Sequence, residues 1–169
     1  AEKLCKLIPC AEMVRFGKNG SDATAGAIRV ARAYTKRERV IVCGYHGWQD
    51  WFIGSTSRNA GVPQAIRDLV ETVEYNNLES LEKILNSHPN EYAALIMEPF
   101  NFYYPDKDYL ERVKELVHSH GTLLIFDEIC SGFHFQLGGA QKMFKVTPDM
   151  ATFGKAMGLK LKKLLSRKY

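Results

Sequence analysis

Three short stretches of this chain are apolar almost from end to end: RVIVCG at 39–44, YAALIM at 92–97 and GTLLIF at 121–126. A strand with one wet face alternates apolar and polar residues, so runs like these belong to a sheet covered on both sides. Between them the spacing becomes helical, with Leu78, Leu81, Ile84 and Leu85 marking one helix. Tyr109, Leu110, Val113, Leu116 and Val117 mark a stronger one. Apolar strands alternating with amphipathic helices predict an α/β fold, a mostly parallel sheet with helices on both faces.

The remaining signals fill in around that frame. Leu4, Leu7 and Ile8 give the opening stretch helical spacing, and MVRF at 13–16 reads as a short strand ending at Gly17. A helix is expected from about 23 to 34 after the turn KNGSD. A long loop with one short helix is expected over 48–70, and a last short strand at DMATFG. With 169 residues, 46% of them hydrophobic, the chain can bury one real core, and no repeat or linker divides it.

Charge is a poor guide to a partner here. The net charge of +4 comes from the last eleven residues, where Lys160, Lys162, Lys163, Arg167 and Lys168 lie; without these five, 18 basic face 19 acidic residues. Cys5, Cys10, Cys43 and Cys130 form no CxxC pair, and Cys43 and Cys130 beside apolar runs read as small hydrophobes. A reduced, cytoplasmic chain is expected. No apolar run reaches membrane-spanning length and no signal pattern opens the chain. The opening alanine points to a start lying further upstream.

In an open parallel sheet the ligand lies beyond the carboxyl ends of the strands. Five such ends are expected here. After MVRF comes a glycine turn, Lys18-Asn19-Gly20-Ser21-Asp22, which suits either an ordinary helix cap or an anion-binding helix N-terminus. After RVIVCG come Tyr45 and His46, an aromatic and an imidazole where a planar ligand can stack. After YAALIM comes Glu98, and after GTLLIF come Asp127 and Glu128, acids that need a positive partner or several hydrogen bonds once buried. After DMATF comes Gly154-Lys155. A phosphate cradle, a stacking aromatic, a buried carboxylate and a lysine are together what a phosphorylated heteroaromatic aldehyde uses, and pyridoxal phosphate fits that description.

The segments FGKNGSDATAGAIRVARAYTKR, YHGWQD, IMEPF, LLIFDEICSGF and TPDMATFGKAMG, in this order, resemble the class III pyridoxal-phosphate-dependent aminotransferases. The branch containing glutamate-1-semialdehyde aminomutase is the most similar. GYHGWQDWFIGSTSRNAGVP resembles aminotransferases of surface-sugar and sialic-acid pathways. The resemblance implies the large domain of a fold-type-I transferase. It places Asn19, Gly20 and Ser21 at the cofactor phosphate, with Asn19 standing where the family has serine. It further implies that Tyr45, with His46 beside it, stacks on one ring face and Ile129 packs on the other. Asp127 would pair with the pyridinium nitrogen, and Lys155 would carry the cofactor as a Schiff base and move the proton. Glu98 falls on the substrate side, and no metal is implied. His134 replaces an arginine common after Ser/Thr-Gly-Phe.

The implied activity is transfer of an amino group from a small-molecule donor to an oxo or aldehyde acceptor, a sugar among the candidates. A 2,1-aminomutase, or an inactive fragment of such an enzyme, is the alternative. Residues 1–158 would form part of the cofactor-binding domain and 159–169 a basic tail outside the pattern, so the chain would represent less than half of a homodimeric enzyme. A small binding protein whose tail docks on nucleic acid or an acidic membrane is the contrasting reading. Neither nucleic acid nor membrane is expected as a partner. His118 and His120 read as solvated or dipole-facing groups. The aromatic run Phe100, Phe102, Tyr103 and Tyr104 reads as a packed loop.

Overall fold

A computed structural model describes residues 1–100 and 102–158. Its centre is a five-stranded parallel sheet in the order β2-β1-β3-β4-β5. The strands are β1 (Arg39–Cys43), β2 (Val70–Thr72), β3 (Tyr92–Met97), β4 (Leu123–Glu128) and β5 (Met150–Phe153). Around them run α1 (Glu2–Leu7), α2 (Gly20–Thr35), α3 (Asp50–Ile53), α4 (Gln64–Arg67), α5 (Leu78–Ser87), α6 (Tyr109–Ser119) and α7 (Ala140–Phe144).

The pleat divides the core into two layers. Ile41, Leu95, Met97, Leu124 and Phe126 face Leu81 and Leu85 of α5 and Leu110, Val113 and Val117 of α6. Val40, Val42, Ala94, Ile96 and Ile125 face Ile28 and Ala31 of α2 with Trp51 and Phe52 of α3. Each fully buried Val, Leu, Ile, Met or Phe among them contributes about 1.5–3 kcal/mol from apolar transfer. The apolar runs are therefore covered on both faces, as their lack of alternation requires.

Three expectations about local structure fail. Residues 13–16 form no strand: Met13 and Phe16 are 91% and 70% exposed, and no strand of the sheet pairs with the segment. The fifth strand is instead β2, which begins at the last residue of the stretch read as a loop, where Val40, Ile41 and Val42 pair with Val70, Glu71 and Thr72. Helix α2 begins at Gly20, ahead of the expected start near 23. Asn19 caps it by accepting the Asp22 N–H at 3.0 Å, which draws glycine and serine into the first turn. The basic tail 159–169 lies outside the described residues. Among the described residues, no helix is long and apolar enough to cross a membrane.

Candidate functional site

The β4 end is held by a network of side chains from three directions. Asp127 is buried, and its Oδ2 lies 2.8 Å from His46 Nδ1. Its Oδ1 accepts the Thr152 hydroxyl at 3.0 Å and the Ile129 N–H at 3.2 Å. Thr152 reaches it because β4 and β5 pair in register at Asp127 and Thr152. His46 is itself fixed from above, since Thr24 of α2 donates to its carbonyl at 2.8 Å. His46 Nε2 is buried and has no partner among the described residues.

The N-terminus of α2 closes on this strand end. A Cβ at Gly20 would lie 2.6 Å from Ile129 Cδ1, and one at Gly47 would lie 2.4 Å from Ser21 Oγ. Gly47 also has φ +111, a conformation that suits glycine. The cap reading of 18–22 holds, and the same turn keeps the donors that an anion site would use. Asn19 uses its side-chain oxygen on the helix, while the Gly20 and Ser21 N–H groups, being in the first turn, have no intrahelical acceptor. The Asp22 carboxylate in the same turn is tied back, accepting from Lys18 N at 3.1 Å and Gln49 Nε2 at 3.4 Å.

Tyr45 and Glu98 meet at the ends of β1 and β3, where the strand order reverses. The Tyr45 N–H donates to Glu98 Oε2 at 3.2 Å, and Gly44, at φ +106, leaves room for that carboxylate where a Cβ would come within 2.5 Å. Glu98 is thus buried and bonded. The Tyr45 ring is 63% exposed and meets Phe52 edge-on at 5.5 Å. Beside them, a cavity of about 140 Å³ is lined by Cys43, Gly44, Tyr75, Glu98, Phe102 and Tyr103. The packed-loop reading of the aromatic run holds for Phe100, which contacts Tyr104 and Phe135 with ring centres 4.7 Å apart. It fails for Phe102 and Tyr103, which stand exposed at the cavity's rim.

Lys155 follows β5 with φ +40, a left-handed backbone that costs a non-glycine residue about 1–2 kcal/mol. Its Nζ donates to Cys130 Sγ at 2.7 Å, and this contact is the main reason the amine is held above the ordinary lysine value. Cys130 was expected to behave as a small hydrophobe. It instead stands half-buried against the lysine, while Cys43, deeply buried, matches that description and is pushed up to about 12.

Two contributors escaped the sequence reading. Thr152 and Thr24 act across strands and helices, and only the register and the α2 packing reveal them. Glu128 faces away from Asp127 and accepts from Ser131 Oγ, Gln141 Nε2 and the Gln141 and Ala140 N–H groups, fixing the start of α7. His118 Nε2 lies 2.9 Å from Asp149 Oδ2, so that histidine has a carboxylate partner rather than water alone.

Residues 1–166 match the family described as aminotransferase class-III. A 3-aminobutyryl-CoA aminotransferase of Cloacimonas acidaminovorans is 46% identical over 162 residues, 92% of this chain and 38% of that protein. A glutamate-1-semialdehyde 2,1-aminomutase of Lachnoclostridium phytofermentans is 41% identical over 94% of this chain and 41% of its own length. An omega-transaminase from Sphaerobacter thermophilus superposes with a TM-score of 0.82 at 32% identity, over 92% of this chain and 40% of that one. A transaminase with PLP bound gives 0.84 at 25% identity, over 92% and 40%. The chain spans about two fifths of the length of the curated relatives it matches.

Proposed function

Because the chain belongs to the class III aminotransferases, we propose that it forms the cofactor-holding part of an enzyme that moves an amino group from a small amine donor to an oxo or aldehyde acceptor with pyridoxal phosphate. One observation carries this reading. Ile129 donates its N–H to Asp127, sits against the Gly20 backbone, and lies 3.4 Å from where a Gly154 Cβ would be. The anion-type turn, the buried carboxylate and the strand end bearing Lys155 therefore converge on one residue. The unpartnered His46 Nε2 and the N–H groups of the first α2 turn support a planar, phosphorylated group.

In that role the Gly20 and Ser21 N–H groups at the start of α2, with the Ser21 hydroxyl and the Asn19 amide, hold the phosphate. Asp127, its orientation fixed by His46 and Thr152, would present its carboxylate to the ring nitrogen and favour the protonated form there. Tyr45 and Ile129 would flank the ring on its two faces. When bound, the cofactor supplies an aldehyde for the lysine amine and a ring that withdraws electrons from the reacting carbon. Lys155 then serves as base and acid, taking the proton from the donor carbon and returning it during transfer. Glu98 borders the substrate side. We further propose that the assembled enzyme is a cytoplasmic homodimer, as the family resemblance implies.

A second reading, an intramolecular 2,1-aminomutase, draws on the identity to the Lachnoclostridium protein. The first draws on the aminobutyryl-CoA relative, which suggests a 3-amino acyl thioester donor beside the sugar-type substrates expected from 44–63. The chain is incubated with pyridoxal phosphate and followed by visible absorption. Each candidate is then added: a 3-amino acyl thioester, an amino sugar nucleotide and glutamate-1-semialdehyde. A band that appears in the wild type, is missing in Lys155→Ala and is bleached by an amino donor supports the proposal. Absence of any Lys155-dependent band removes it. Isomerisation of the semialdehyde without an added acceptor decides for the aminomutase.

A further inference from the structure

Lys155 is brought to the sheet end by β5, yet the atom it touches belongs to the segment after β4. Its Nζ lies 2.7 Å from the Cys130 sulfur. Cys130 is half-exposed and joins none of the buried apolar clusters, so packing does not account for its placement. The other end of the lysine is constrained as well. Its backbone is left-handed, and the turn around it is closed by Met157 N to Gly154 O at 2.9 Å. The backbone sets where the side chain starts, and the sulfur contact holds its tip.

We propose that Cys130 is a positioning residue for Lys155: its sulfur holds the lysine amine at the end of β4 before an aldehyde arrives, and loading the cofactor requires that contact to break. This rests on the reading of Lys155 as the cofactor lysine. An ammonium held against a sulfur acceptor keeps its proton, and the direction agrees, with Lys155 raised first by Cys130 and further by the negative charges of Glu98 after β3 and Asp127 on β4. Partial burial works in the opposite sense. Only the free amine attacks an aldehyde. The contact that aims Lys155 also restrains it.

The test titrates the amine without any cofactor. Wild type, Cys130→Ala and Cys130→Ser are trace-labelled with acetic anhydride from neutral to alkaline pH. The peptides carrying Lys155, Lys18 and Lys142 are quantified by mass spectrometry. In Cys130→Ala, Lys155 is expected to label several-fold faster than in wild type at neutral pH, with the two curves converging under alkaline conditions. Cys130→Ser, whose hydroxyl still accepts from the ammonium, falls between them. Lys18 and Lys142 stay unchanged. Identical Lys155 curves in wild type and Cys130→Ala overturn the proposal, as does a shift shared by all three lysines, which marks a change of fold. Faster pyridoxal phosphate loading of Cys130→Ala at neutral pH completes the expected result. Labelling as expected without cofactor attachment removes the functional reading and keeps the Cys130 contact. Attachment at Lys155 with unchanged labelling does the reverse.

Discussion

Asp127 and Glu128 follow one another at the end of β4, both almost wholly buried, and the pleat sends them to opposite faces of the sheet. Asp127 faces the α2 side. Its partners come from the loop after β1, from β5 and from the adjacent backbone, and they gather where α2 begins. Glu128 faces the other way and takes hydrogen bonds from Ser131, Ala140 and Gln141, which build the turn into α7. A Cβ at Gly139 would collide with it. One acid orients a site and the other anchors a segment, so burial and charge alone do not identify a functional carboxylate. What separates them is whether the partners lead to other chemistry-bearing groups or only to a helix start.

The largest expected effect falls on the Asp127 side. Asp127→Asn keeps the shape and removes the charge, and should slow the amino-donor half-reaction by about 10²–10⁴-fold, the range for losing a group that governs proton transfer. Stopped-flow absorbance checks this, and little change in urea midpoint should accompany it. Glu128→Ala should do the opposite. Stranding the donors around it should lower stability by about 2–4 kcal/mol in urea unfolding, with cofactor attachment in the folded fraction unchanged. If both variants lose stability alike, the division between the two acids fails.

Acidity sharpens the contrast further. Burial raises the Glu128 carboxyl above its ordinary 4.5, against the lowering pull of Gln141, Ala140 and Ser131. An acid whose folded value exceeds its unfolded one helps folding most when protonated. Its contribution is therefore fully present below 4.5 and is lost as pH rises through the folded value. Glu128→Gln removes this titration, so wild type should gain on the variant as pH falls toward 4.5 in parallel urea titrations. The smallest effect is expected from Gly20→Ala. Its Cβ presses on the flexible tip of Ile129, and cofactor binding should weaken only a few-fold while the Glu128 side is untouched.

Much of this was legible in the chain. The uniformly apolar runs gave β1, β3 and β4, and the helical spacing of Leu81, Leu85, Val113 and Val117 gave α5 and α6, because burial on both faces leaves no polar alternation. Val70–Thr72 was not legible: three residues with one buried side chain carry no period, and only pairing with β1 makes them a strand. Residues 13–16 show the converse, a run read as a strand that pairs with none. At the site, the residue types after each strand were readable, since chemistry concentrates there. The contacts among them were not. Thr152 meets Asp127 through register, His46 through the turn after β1, and Cys130 meets Lys155 across two strand ends.

The central claim is that these strand ends form one cofactor site with Lys155 as its attachment point. Reducing the chain with borohydride in the presence of pyridoxal phosphate, then mapping the peptides by mass spectrometry, tests this most directly. The expected result is a single phosphopyridoxyl group on the peptide containing Lys155, lost in Lys155→Ala and retained in Glu128→Gln. Modification spread over other lysines, or centred on any one of them, would contradict it.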